Sequence, residues 1–384
     1  MGHTPQPSLQ QSGKPTVSTT ASDSSSKSTS STKSGPESTA KSTSEAESSA
    51  FEGAHILSVG QFDRSSVDRI FTVADRMEPY AQRRRITRVL EGAILSNMFF
   101  EPSTRTRISF GSAFNLLGGE VRETSEVKAS SLTKGESLYD TARVLSGYSD
   151  LICMRHPQAG SVAEFAEASR VPVINGGDGP NEHPSQALLD LYTIRREMQA
   201  RGGTIDGLKI AFIGDLKYGR AAHSLSKLLG MFDHLHFKMV SPAQLATPPE
   251  IVEDLRAAGH KVEEFDALES GIHGADILYV TRTQEERFPS QEEADRYRGL
   301  FRLNQQVYTQ HCEPNTVIMH PLPRDSRAKA QELDDDLNSN PNLAIFRQTD
   351  NGVLVRMALF ALILGVADTV SAYERPVPWV SHRR

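Results

Sequence analysis

Cysteine is nearly absent: the 384-residue chain carries only Cys153 and Cys312. Two thiols cannot build a disulfide framework or a cysteine-rich zinc site, and such sparing use fits a reducing compartment. Long apolar runs are missing as well. The longest, Met357 to Val366 with Gly365 inside it, falls well short of the roughly 20 residues that a membrane-spanning helix needs. There is no surplus of positive charge, since the formal net charge is -6, which speaks against bulk attraction to nucleic acid. Internal repeats, a G-x-G-x-x-G fingerprint and clusters with metal-ligand spacing are also lacking, so neither a dinucleotide nor a metal cofactor is expected. What remains is a hydrophobic share of 38% and enough length for two ordinary domains, each with its own core.

Residues 1–50 stand apart. The stretch is rich in Ser and Thr and poor in large apolar side chains, so it cannot offset the entropy lost on ordering, and we expect a disordered tail. Lys14, Lys27, Lys33 and Lys41 balance Asp23, Glu37, Glu45 and Glu47, which leaves the net charge to the remainder of the chain. The hydroxyl content resembles that of a transit peptide, but the segment has no arginine and does carry acids. Cytoplasm is therefore the expected address, with an organelle as the alternative if the tail is a presequence.

From about residue 55 the pattern changes. "AILSNMFF", "LICMRH", "VPVIN", "LKIAFIGD", "DILYVTR" and "NTVIMHPLP" read as buried strands, each flanked by a segment of helical periodicity. Such alternation predicts an α/β protein with two doubly wound domains, each a mostly parallel sheet with helices on both faces. The expected partition is 51–185 and 186–350, joined near the helix that opens "HPSQALLDLYTI", with a C-terminal helix at about 351–370 packing back on the first domain. In open α/β sheets, ligands sit beyond the carboxyl ends of strands, so the chemistry is sought there.

Those strand ends share one character. After "AILSNMFF" come Glu101, Pro102, Ser103, Thr104, Arg105, Thr106 and Arg107, with Phe110, Ala113, Phe114 and Leu117 on one helical face. With Ser103 as N-cap, free backbone N–H groups, hydroxyls and a guanidinium converge as a phosphate dianion requires. A merely solvated, capped helix is the competing reading of this stretch alone. "MRHPQ" puts Arg155 at the next strand end, and "NEHPSQ" places His183 and Gln186 on one face of a helix start. Further on, "FIGDLKYGR" offers Lys217 and Arg220, "TRTQEER" offers Arg282 and Gln284, and "MHPLPR" closes the last strand with a rigid proline pair.

Taken in order and spacing, "FFEPSTRTR", "KGESLYDT", "MRHPQ", "GDGPNEHPSQALLDLYTI", "GDLKYGR", "TRTQEER" and "HPLPR" closely resemble the catalytic chains of the aspartate carbamoyltransferases, from about residue 55 to 370. S-T-R-T-R alone marks carbamoyltransferases in general, and the motifs of the second half select the amino acid. The resemblance implies transfer of the carbamoyl group of carbamoyl phosphate to the amine of L-aspartate, in pyrimidine biosynthesis, without a cofactor. It also implies how the residues divide the work. Residues 51–185 would bind carbamoyl phosphate, with Ser103, Thr104, Arg105, Thr106 and Arg155 on the phosphate. Arg105, Thr106 and His183 would surround the carbamoyl oxygen, and Gln186 with the carbonyls of Pro321 and Leu322 would accept from the carbamoyl NH2. A cis bond is implied between Leu322 and Pro323. Residues 186–350 would bind aspartate through Arg220, Arg282 and Gln284, and Glu101, Arg220 and Arg287 would clamp the domains on closure.

Lys134, in "KASSLTKGES", reads by itself as part of a mobile surface loop. The resemblance instead implies that this loop enters a neighbouring subunit's site, with Lys134 and either Ser130 or Ser131, so that the active unit is a homotrimer. Ser185 stands where many relatives carry threonine, and its hydroxyl is kept. The amine's proton would go to the departing phosphate, with His183 as the other candidate. The resemblance also leaves room for a regulatory chain or a pathway-enzyme partner, and implies neither nucleic acid nor membrane. Two alternatives stay open: an ornithine-type or other carbamoyltransferase, and a non-catalytic homologue serving as scaffold or sensor. The latter should show damage at the phosphate or carboxylate contacts, and none is found.

Overall fold

The computed structural model describes residues 50–124, 135–328 and 330–380. The tail up to residue 49 and the positions Ser130, Ser131 and Lys134 lie outside the described residues.

The first half builds a four-stranded parallel sheet from β1 (Ile94–Phe99), β2 (Glu120–Thr124), β3 (Leu151–His156) and β4 (Val173–Asp178), in the spatial order β2-β1-β3-β4. The second half builds a five-stranded parallel sheet from β5 (Lys209–Ile213), β6 (His236–Val240), β7 (Lys261–Phe265), β8 (Ile277–Val280) and β9 (Val317–Met319), in the order β9-β8-β5-β6-β7. In each sheet the chain leaves one central strand toward one edge and later resumes on its other side. The resulting switch points fall between β1 and β3, and between β5 and β8.

Central strands are covered on both faces and carry continuous apolar runs, which is why their sequences are so readable. Three strands are not so marked. β2 ("EVRET") and β7 ("KVEEF") are edge strands whose side chains are mostly exposed or half-buried. β6 has Lys238 at its middle, a residue buried with its ammonium donating to the carbonyls of Gly271 (3.1 Å) and His273 (2.5 Å). A short antiparallel pair, Arg85–Thr87 with Glu374–Pro376, brings the last described stretch back to the first half.

Three helices set the site. α1 (Arg64–Ala81) begins at an Asp63 cap whose carboxylate accepts from Ser66 N. α2 (Thr104–Leu116) follows β1, and α3 (Pro184–Ala200) carries the chain from β4 toward the second sheet, with Pro184 at its first position, where no donor is wasted. The C-terminal helix α4 (Ile345–Ile363) packs on all three. It is apolar on nearly every side because it is buried on nearly every side, with Leu354 to Ile363 all at most 4% exposed. Phe360 is its anchor, meeting Phe114 edge-on at 5.0 Å and Phe110 at 5.9 Å between ring centroids.

Between the halves, Arg64 makes a bidentate pair with Asp206 at 2.9 and 3.0 Å while its guanidinium lies 3.9 Å over the Phe232 ring. Glu182, just before α3, accepts from Ser58 Oγ (3.0 Å) and Val59 N (2.7 Å), which ties the entry of the fold to the crossing point.

Phe360→Ala should destabilise the chain by about 3–5 kcal/mol, since the large cavity would sit where α4 meets α2. Equilibrium urea unfolding checks this; a loss below about 1 kcal/mol would mean that α4 is not the central support.

Candidate active site

The two switch points face each other across a cleft of about 1600 Å³. Its walls include Glu101, Ser103 to Thr106, Arg155, His183 and Gln186 from the first half, and Arg220, Arg282, Gln284, Arg287, Pro321 and Leu322 from the second. Every described residue to which the resemblance gives a site role therefore lines one cleft, whereas Lys217, offered by the same strand end as Arg220, is not among its walls.

At the first switch point, Ser103 takes the N-cap position of α2 with extended backbone, yet its hydroxyl makes no capping hydrogen bond. The free N–H groups of the first turn, the positive end of the helix dipole and the Ser103 and Thr104 hydroxyls are thus left facing the cleft. The Arg105 guanidinium forms no ion pair among the described residues. Burial, and then the neighbouring Arg282 cation, hold its pKa below the ordinary arginine value. Arg155 rises from the end of β3 and is only 12% exposed at its side chain. Its Nη2 lies 2.7 Å from Glu101, while its Nε is buried without a hydrogen-bond partner among the described residues. Burial first, then Arg220, bring its pKa down to about 10.

Glu101 gathers more than Arg155. Its carboxylate also pairs with Arg220 at 3.4 Å and Arg287 at 3.6 Å, so one anion from the first half holds two cations of the second. Arg220 additionally donates to the Gly179 carbonyl. Gly177, at φ +124°, makes the crowding possible: a Cβ there would lie 2.9 Å from Arg155 Nη1 and 3.2 Å from Arg220 Nη2.

His183 is the N-cap residue of α3, but its side chain caps nothing. The ring is buried, and its Nδ1 has no hydrogen-bond partner among the described residues. Burial holds the imidazole well below the ordinary histidine value of 6.5, and the cations of Arg220, Arg155 and Arg356 push it the same way. A neutral ring can donate one hydrogen bond but offers little as an acid.

At the second switch point, Asp215 after β5 accepts from the backbone N–H groups of Tyr218 (3.0 Å) and Gln284 (2.9 Å), which locks the two loops together. Both terminal nitrogens of Arg282 are taken by Glu286, which fixes the guanidinium plane, and Gln284 donates to the Arg282 carbonyl at 3.2 Å. The Leu322–Pro323 bond is cis, and Leu322 has φ +57°, a strained value for a branched residue in a loop that lines a site.

Four groups at the site escaped the sequence reading. His320 is buried, accepts from Leu322 N at Nδ1 (2.8 Å) and donates from Nε2 to Glu332 (2.8 Å). Although "HPLPR" stood out, nothing in it said that the histidine supports rather than binds. Asp190 is fully buried one helical turn after Gln186. Burial pushes its carboxyl up to about 7, against the pull of donors from Tyr279, Gln348 and Gln186 and of the Arg356 cation. An acid inside the apolar run "ALLDLY" was the available signal. Arg356 likewise interrupts "VLVRMALF"; burial brings it down to about 10, and it donates to Ser109 Oγ at 2.8 Å. Gln348 had no sequence signal at all. Arginines outnumber carboxylates around the cleft, so it suits a ligand of several negative charges. Among the described residues, no group of three or more His, Cys, Asp or Glu side chains could hold a metal ion, and no helix is long and apolar enough to cross a membrane.

Comparison with known proteins resolves which kind of site this is. Residues 54–196 match the family model of the aspartate/ornithine carbamoyltransferase carbamoyl-P binding domain, and residues 206–363 match that of the Asp/Orn binding domain. The chain belongs to the aspartate/ornithine carbamoyltransferase family. It is 73% identical to an aspartate carbamoyltransferase catalytic subunit of Cellvibrio japonicus, over 87% of this chain and 99% of that one. Among solved structures, the fold is similar to the Trypanosoma cruzi aspartate transcarbamoylase in complex with carbamoyl phosphate and aspartate (TM-score 0.75, 35% identity, 82% of this chain and 98% of that one). It is also similar to the catalytic subunit of Methanocaldococcus jannaschii aspartate transcarbamoylase (TM-score 0.72, 44% identity, 80% and 96%).

Because the folded pKa of His183 lies below its unfolded value, its contribution to stability is present above about pH 6.5 and is lost as pH falls toward the folded pKa. NMR of the imidazole nitrogens should find His183 neutral from pH 8 to about pH 6. A midpoint near 6.5 would show that the ring is hydrated in solution.

Proposed function

We propose that this carbamoyltransferase joins carbamoyl phosphate and L-aspartate to give N-carbamoyl-L-aspartate and phosphate, a reaction of pyrimidine biosynthesis. The observation that carries the reading is the meeting of a helix N-terminus rich in donors with Arg220 and Arg282 across one cleft. The first suits a phosphate, and the second suits carboxylates. The high identity to a named aspartate carbamoyltransferase supports aspartate over ornithine, whose extra ammonium would meet these same arginines unfavourably.

In this reading Ser103, Thr104, Arg105, Thr106 and Arg155 hold the phosphate. Arg105, Thr106 and His183 donate to the carbamoyl oxygen as it gains charge, a type of contact typically worth ~2.7–4 kcal/mol per donor in the transition state. Gln186 and the carbonyls of Pro321 and Leu322 accept from the carbamoyl NH2. Arg220, Arg282 and Gln284 bind aspartate and present its neutral amine to the carbonyl carbon. A C–N bond forms, the C–O bond to phosphate breaks, and the amine's proton leaves with the phosphate. The depressed pKa of His183 supports this route, since the ring then serves as a neutral donor. Glu101 with Arg220 and Arg287 acts as the clamp between the halves.

A homotrimer in which Lys134 and Ser130 or Ser131 complete a neighbour's site belongs to the same proposal, as does a cytoplasmic location. The relatives' name, catalytic subunit, supports companion chains of regulatory or pathway type.

The direct test is to supply the purified chain with carbamoyl phosphate and either aspartate or ornithine, and to assay phosphate and carbamoyl amino acid together. Stoichiometric carbamoyl aspartate is expected; turnover of ornithine alone would overturn the reading. Arg282→Ala should raise KM for aspartate at least about tenfold while KM for carbamoyl phosphate moves less than about threefold, and the reverse pattern would exchange the two halves.

Subunit sharing has its own test. Lys134→Ala and Arg105→Ala chains should each be nearly inactive. Refolded together in equal parts, they should recover about one quarter of wild-type activity, because three quarters of trimers are mixed and each mixed ring has one intact junction in three. A mixture that stays inactive while mass measurement confirms mixed trimers would place Lys134 outside the neighbour's site.

A further inference from the structure

Asp190 has no direct role in the chemistry above, yet it is a fully buried acid beside the cleft that accepts three hydrogen bonds. Its Oδ1 accepts from Gln186 Nε2 at 2.9 Å and from Gln348 Nε2 at 2.6 Å, and its Oδ2 accepts from the Tyr279 hydroxyl at 2.6 Å. Asp190, Gln348 and Tyr279 are all at most 1% exposed. The orientations of both amides follow by elimination. Gln186 turns its NH2 toward Asp190 Oδ1 and its Oε1 away from it, the orientation required by the ionised carboxylate, which can only accept. Gln348 is fixed twice, because its Oε1 accepts from the backbone N–H of His320 at 3.0 Å, a group that can only donate. That N–H opens the loop whose next carbonyls are those of Pro321 and Leu322, and Leu322 N is in turn held by the His320 ring.

We propose that Asp190 is the positioning residue for carbamoyl-nitrogen recognition. Through Gln186 it aims one acceptor, and through Gln348 and the His320 backbone it sets the loop that carries the other two. The proposal rests on the reading of Gln186, Pro321 and Leu322 as acceptors for the carbamoyl NH2. Its consequence is specificity: three acceptors held in register distinguish an NH2 from a methyl group of similar size, since a methyl leaves them unpaired. Asp190 has no ion-pair partner within 4 Å among the described residues, and burying a carboxylate on neutral donors costs stability. A simple tie between the halves would need only the Tyr279 contact. The two amide contacts are what a positioning role adds.

Acetyl phosphate is the probe, as it replaces the NH2 of carbamoyl phosphate by CH3 and keeps the phosphate. The ratio of the two affinities is measured for wild type, Asp190→Ala, Asp190→Asn and Tyr279→Phe, with inorganic phosphate as the reference ligand. Asp190→Ala should lower the preference for carbamoyl phosphate at least about tenfold while phosphate affinity stays within about threefold. Asp190→Asn should restore the preference, since its oxygen can serve both glutamines while its NH2 faces the Tyr279 hydroxyl, which can also accept. Tyr279→Phe, which removes only the contact between the halves, should keep it as well.

An unchanged ratio in Asp190→Ala overturns the inference, as does a parallel fall in phosphate affinity, which would mark general collapse. Should Asp190→Ala fail to fold, Gln348→Met breaks the arm to His320 alone; a ratio lowered by more than about threefold supports the proposal, and an unchanged one overturns it. A wild-type protein that prefers neither phosphate, or makes no carbamoyl aspartate, would instead remove the reading on which the inference rests.

Discussion

Glu101 is the constraint on which the site depends. Arginines drawn from both halves converge at the cleft, and their mutual repulsion in a half-buried space would splay the two switch points apart. A single carboxylate at the end of β1, in contact with Arg155, Arg220 and Arg287, offsets that repulsion and sets the distance between the sheets. The lowered pKa values of Arg155 and Arg220, both owed first to burial, record how far these cations have been taken from water. A polyanionic ligand entering this field gains from cations already gathered, with their desolvation already met by the fold.

Around that anion the remaining groups fall into two kinds. Some are left without a hydrogen-bond partner among the described residues, such as His183 Nδ1 and Arg155 Nε. Others are fully committed within the protein, such as Asp215, His320 and Asp190, and each holds a loop or an amide that faces the cleft. The second kind makes the first useful, because a donor acts on a developing charge only when its direction is fixed beforehand. The chain places these supports on helices and strand ends rather than on free loops: Asp190 on α3, Gln348 on α4 and Tyr279 on β8.

What the sequence by itself determined was six of the nine strands described in the two parallel sheets and the residue types at their ends. Buried parallel strands write continuous apolar runs, and each run here is followed by polar residues that the sheet cannot use internally. Hence Ser103 to Thr106, Arg155, His183, Gln186, Arg220 and Arg282 were all legible. The edge strands β2 and β7 were not, because their mostly exposed or half-buried side chains follow little pattern, whereas the edge strands β4 and β9 are buried and were read. Lys238 hid β6 in the same way, since a lysine satisfied by two carbonyls looks in sequence like a surface charge. Only the tertiary structure decided which cations share Glu101, and that Gln186 and Gln348, 162 positions apart, lean on the same carboxylate oxygen. Contacts across that separation follow from how the two sheets and α4 pack, and hydrophobic period and local spacing, which operate within a single helix or strand, carry no trace of them.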